Sequence, residues 1–81
     1  MPYINSDRRF AIDEGSQPRT SGELNYLITV AIVNYLKNAQ LITYQTMNDI
    51  VGALDNAKDE FRRRIQHPYE NAKMQENGDV Y

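Results

Sequence analysis

The sequence predicts an all-α fold, and three observations carry that expectation. Apolar residues recur with the 3.6-residue period of a helix through two long windows, 21–38 and 43–67. Threonine stands at the start of each, Thr20 for the first and Thr43 or Thr46 for the second, with a hydroxyl able to cap the free N–H groups of a first turn. Only Ala39–Ile42 separates the two windows, a length that turns one helix back along the other. The expected architecture is an antiparallel hairpin of two long helices that assembles as a helical-bundle homo-oligomer. An N-terminal arm over residues 1–20 precedes it, and a short C-terminal helix over 68–77 and a tail over 78–81 follow.

A chain of 81 residues has room for one domain and buries only about 60% of its unfolded surface, so its stability is marginal without further help. There is no cysteine, which excludes disulfides, thiolate metal sites and thiol nucleophiles together and suits a reducing cytoplasm. The single histidine, His67, cannot build a histidine-rich metal site in one chain, and no metal or cofactor is expected. The help that remains is another copy of the chain. No apolar run reaches the ~18 residues of a membrane span, and Met1-Pro2-Tyr3 lacks the basic and apolar regions of a secretory signal. The expected location is therefore the cytoplasm, without a membrane partner. Nine basic against eleven acidic side chains give a net charge of −2, which argues against sequence-independent nucleic-acid binding.

The arm carries Tyr3, Ile4, Phe10 and Ile12 among charges and closes on Glu14-Gly15-Ser16-Gln17-Pro18, a composition of turns. A short helical turn over Ser6–Ile12 fits the pattern. Four apolar side chains are costly to leave in water, so the arm is expected to lie on the body of the protein or on a partner, with full disorder as the competing reading. In Thr20-Ser21-Gly22-Glu23 the threonine and glutamate fit a capping box, in which each side chain accepts the other residue's N–H. The helix that follows puts Leu24, Leu27, Ile28, Ala31 and Tyr35 on one stripe. Tyr26, Val30 and Val33 lie on the other flank, so the apolar arc nearly surrounds the helix and requires two partners. Asn25 and Thr29 fall beside Ile32 and Leu36 and are expected to be enclosed and hydrogen-bonded.

The second window carries the strongest periodic signal in the chain: Tyr44, Met47, Ile50, Val51, Leu54, Ala57, Phe61 and Ile65 share one stripe. Paired with a helix that begins at Ser21, it runs out of intramolecular partner near Phe61, so Arg62–His67 overhangs. Pro68 has no N–H to donate, and its ring clashes with the carbonyl four residues back; the helix is expected to stop or kink near His67. Pro68–Met74 can then restart as a short helix with proline at its first position, closed by Asn77-Gly78.

Arg62-Arg63-Arg64 is the feature with most chemical potential, because guanidinium forks match phosphate and carboxylate. The spacing also allows a purely structural reading, with Asp59 to Arg63 and Glu60 to Arg64 as acid-first pairs worth about 0.2–0.5 kcal/mol each, and with cations near a helix C-terminus. His67 and Tyr69 share the overhanging segment, so in a symmetric oligomer these groups can converge from two chains. The candidate anion-binding set is Arg63, Arg64, His67 and Tyr69, with Asn25. The candidate oligomer interface is Tyr26, Val30, Val33, Phe61 and Ile65. No catalytic residue is assigned. His67 has no serine or cysteine at a recognisable spacing, and beside a proline it reads as a terminal cap. Asp55 with Asp59 is too sparse for a divalent-metal hydrolase.

The chain resembles a family of small proteins encoded by bacteriophages and some bacteria. The resemblance is carried by Met1-Pro2-Tyr3-Ile4, Gly22-Glu23-Leu24-Asn25-Tyr26, Tyr44-Gln45-Thr46, Asn48-Asp49-Ile50, Gly52-Ala53-Leu54, Ala57-Lys58, Glu60-Phe61, Arg63-Arg64, Pro68-Tyr69-Glu70 and Glu76-Asn77-Gly78-Asp79-Val80-Tyr81. It implies a phage or prophage origin and no particular activity. At Arg62 relatives often carry an aromatic residue, which leaves Arg63 and Arg64 as the arginine pair of the motif. Three uses are expected, in this order: a non-enzymatic protein that binds a host or phage protein through its helical surface; an oligomer that sequesters a small anionic, nucleotide-like ligand; and a nucleic-acid-binding accessory protein, placed last on charge.

Overall fold

Asn5 opens the first helix. Its side-chain oxygen accepts the Arg8 N–H at 2.9 Å, and α1 runs from Ser6 to Asp13. The computed structural model describes residues 4–81, all of whose regular structure is helical. Tyr3, expected to pack with the arm, lies outside the described residues. The chain divides into two units, Met1–Ile42 and Thr43–Tyr81.

In the first unit α1 ends on Gly15, whose φ of 106° is open only to a residue without a Cβ. Two bonds close the end: Gly15 N–H to Ile12 O at 3.0 Å and Ser16 N–H to Ala11 O at 2.9 Å. This is the Schellman pattern that satisfies the last carbonyls of a helix. Helix α2, Ser21–Asn38, starts at Thr20, whose Oγ accepts the Glu23 N–H at 3.1 Å. The capping box expected here is only half made. The Glu23 carboxylate turns instead to the Arg19 N–H at 3.1 Å and to the Arg8 guanidinium, because a charged fork outbids a neutral amide for the same oxygens.

The arm thus lies on the body of its own unit: α1 packs on α2. Ile12 is 4% exposed and Glu23 7% exposed. Phe10, expected to be covered, is 67% exposed. Arg8 and Ile12 are four apart and face α2 together, and a residue midway between them points to the opposite side of the helix. Asn25, expected to be enclosed, is exposed; the half-buried Thr29 donates its hydroxyl to the Asn25 carbonyl oxygen at 2.8 Å.

The second unit is one helix. Thr43 and Thr46 make the reciprocal box that Thr20 and Glu23 do not: each hydroxyl accepts the other residue's N–H at 3.3 Å. Helix α3 spans Tyr44–Phe61, passes into a π-helical segment, Arg62–Gln66, and continues as α4, His67–Asn77. The helix neither stops at His67 nor restarts after it. The wide turn accommodates Pro68, since the His67 N–H bonds five residues back to Arg62 O. A one-turn π segment inserts a residue and redirects the carbonyls that a proline ring would strike in a regular α-helix. At 34 residues the continuous helix is roughly 50 Å long. Gly78, at φ 85°, ends it with an N–H bond to Met74 O at 2.8 Å.

Candidate functional site

The best-organised polar site is the contact between α1 and α2. Arg8 Nε donates to Glu23 Oε2 at 3.0 Å and Arg8 Nη2 donates to Glu23 Oε1 at 2.6 Å, a two-pronged fork on one carboxylate. The Gln17 carbonyl receives Arg8 Nη2 at 3.4 Å. The Arg8 hydrogen bond holds the Glu23 carboxyl below the usual range; the Arg19 N–H and the Arg8 charge add to this and burial opposes it. The same bond raises Arg8 further. These contacts all stay within the unit, and the fork holds α1 on α2. Spacing gave no sign of Arg8, because its partner is 15 residues away and reaches it only through the Gly15 turn.

Beside the fork, the Tyr26 hydroxyl reaches both oxygens of Asp13, at 2.9 and 3.1 Å. This bond pushes the phenol above its ordinary value, with burial as the next cause. Tyr26, Val30 and Val33, three of the candidate interface residues, line one shallow groove with Ile12 at the end of α1. Tyr26 is half-buried with its polar tip already taken by Asp13. Farther along the groove, Val33 is 40% exposed.

The other two candidate interface residues, Phe61 and Ile65, are on the long helix and are 56% and 59% exposed. A π segment holds more residues per turn than an α-helix, so side chains four apart come closer to one line. Phe61, Ile65 and Tyr69 are spaced in that way across Arg62–Gln66. The segment therefore keeps three apolar groups on a common stripe while it makes room for Pro68.

The candidate anion-binding residues are only partly brought together. Arg63 pairs with Glu60 rather than with the expected Asp59, and Arg64 Nε reaches the same carboxylate at 2.6 Å. One acid one turn back is within reach of both arginines, and it neutralises part of their charge. Arg62 forms no ion pair among the described residues. Arg63 and His67 are one turn apart and line a groove along the helix with Arg62, Asp59 and Glu60. His67 lies within the continuous helix and so is not its terminal cap, and the arginines are likewise far from its end. Tyr69 has Lys73 Nζ 5.7 Å from its ring centroid, which occupies one ring face with a cation. Asn25 belongs to the other unit. Among the described residues no group of three or more histidine, cysteine, aspartate or glutamate side chains gathers to hold a metal ion. No described helix is long and apolar enough to cross a membrane.

Compared with known proteins, residues 1–80 match the sequence model of one family, described as a domain of unknown function, DUF6899. No curated protein and no solved structure matches the chain.

Proposed function

We propose that this chain, which belongs to the DUF6899 family, is a phage-type, non-enzymatic interaction protein that acts in the cytoplasm through the surface of a helical homo-oligomer. One observation carries the reading: the helix Tyr44–Asn77 presents Met47, Val51, Leu54, Phe61, Ile65 and Tyr69 at 41 to 64% exposure. Apolar side chains of that size aligned over several turns mark a surface that another protein covers. In this reading α2 and α3 form an antiparallel hairpin, two hairpins assemble into a bundle, and the remaining surface binds a host or phage protein. Light scattering tests the first step: a mass of at least two chains that falls on dilution supports the assembly, and a monomer throughout sinks it. Affinity capture of one host or phage protein by the oligomer tests the second.

Arg62, Arg63 and His67 on one groove favour a second reading, an oligomer that sequesters a small anionic ligand. A nucleotide present at about 100 times its Kd stabilises the folded state by about 2.7 kcal/mol. A thermal-shift panel of cyclic and linear nucleotides reads this, and loss of the shift in Arg63→Ala or Arg64→Ala assigns it to those side chains. Retention on duplex DNA that falls steeply with salt would favour a nucleic-acid-binding role instead.

A further inference from the structure

From Tyr44 to Ile65 the positions spaced alternately three and four apart are apolar with one exception, Lys58. This is the a/d seam of a coiled coil, sustained over three heptads, and it is narrower than the face a helix turns to a globular core. The unit that carries it is a single helix and cannot cover its own seam. We infer that the occupant of its stretch 54–65 is the same stretch of a second copy, running antiparallel about a two-fold axis level with Asp59 and Glu60. The inference rests on the self-associating reading above and gives it an orientation and a register. Leu54 meets the partner's Ile65, Lys58 meets the partner's Phe61, and Asp55 on the flank of the seam meets the partner's Arg62. The two-fold axis repeats each contact.

Charge complementarity selects this arrangement. In a parallel, in-register pair Lys58 would face the partner's Lys58 inside the seam, and the flanking positions would set Asp55 against the partner's Ile50 and Arg62 against the partner's Ala57. The antiparallel register removes that repulsion. It lays the Lys58 stem across an aromatic ring while its ammonium stays near Asp55, 3.6 Å away. It also gives a counter-charge to Arg62, which has none among the described residues, whereas Glu60 holds both Arg63 and Arg64. Length agrees: an axis between residues 59 and 60 lies close to the middle of Tyr44–Asn77, so nearly the whole 34-residue helix is overlapped. The 18 residues of α2 have the length to span only about half of it.

A charge swap between chains tests the register in the full-length protein. Asp55→Arg and Arg62→Asp each set like charges together at two places, and each alone weakens the dimer by about 10- to 100-fold in sedimentation equilibrium. Mixed in equal amounts they form a mixed dimer in which both pairs are opposite again, with a Kd close to that of the unaltered chain. A mixture no tighter than either variant alone overturns the register. Since the chain has no cysteine, Leu54→Cys and Ile65→Cys report the same contact even if the charge variants fold poorly. Mixed under mild oxidation they cross-link 54 to 65, while cross-links of 54 to 54 would establish the parallel pair and overturn the proposal. A chain monomeric at every concentration overturns the self-associating reading itself, and is distinguished from these results by needing no variant.

Discussion

Glu23 is nearly covered and accepts three hydrogen bonds, two from Arg8 and one from the Arg19 N–H. Its carboxyl is held below the usual range, so it stabilises the fold above the unfolded-state pKa, and that stability is lost as pH falls through the depressed folded value. The melting temperature of the unaltered chain is expected to fall on acidification through that window. Glu23→Gln should melt lower at neutral pH and lack this part of the fall; circular dichroism melts across the window check both. Tyr26 shifts the other way: its raised phenol stabilises the fold below the unfolded-state pKa, and the contribution is lost as pH rises through the folded value. An ultraviolet titration should therefore show a tyrosine step above the ordinary range, and Tyr26→Phe should remove that late step. Gly52 is inside α3, where an added methyl group meets no atom within 4 Å. Gly52→Ala should accordingly stabilise the helix by about 1 kcal/mol, read as a raised melting temperature.

Among the elements, the two helix starts were legible in the sequence because a cap is made by neighbours. Thr20 and Thr43 each bond an N–H three residues on, whatever the rest of the chain does. The helix over Ser6–Asp13 was legible only as a turn, since eight residues carry little periodicity and its closing Schellman pattern depends on the conformation of Gly15. Pro68 was legible as a disturbance whose outcome was open. A lost N–H bond and a ring clash are resolved by stopping, kinking or widening the helix, and the chain widens it over Arg62–Gln66. Pro68→Ala removes the reason for the wide turn. It should let the segment relax to α-helix, gaining about 1–3 kcal/mol of helix stability and slowing amide hydrogen exchange over residues 62–68. Exchange as fast as in the unaltered chain would show that the π segment is held by something other than the proline.

For the whole molecule, apolar side chains set against a small interior decide the behaviour. Ile12 is the buried hydrophobic residue among those described, while Leu24, Tyr35, Phe61 and Ile65 are each about half exposed. In the homo-oligomer proposed above, a chain of this length with so little covered apolar surface would gain most of its remaining stability from association. Its melting temperature is expected to rise with protein concentration, by an amount that follows the dimer Kd. A melting temperature constant over a hundredfold range of concentration would contradict this. The candidate anion site was only partly legible for a related reason. Spacing placed Arg63, Arg64 and His67 on adjacent turns, but which acid the arginines choose depends on rotamers, and Glu60 takes both.

The sequence by itself determined the helical class, both threonine starts and the long apolar stripe, because caps and periodicity are interactions between residues within four positions of one another. Only the tertiary structure decided that α1 folds back onto α2, that Glu23 leaves its capping box for Arg8, and that Tyr26 points its hydroxyl at Asp13. Those contacts join residues 13 to 15 positions apart. They exist only once the turn at Gly15 has closed, and no local pattern records which partner such a turn will bring within reach.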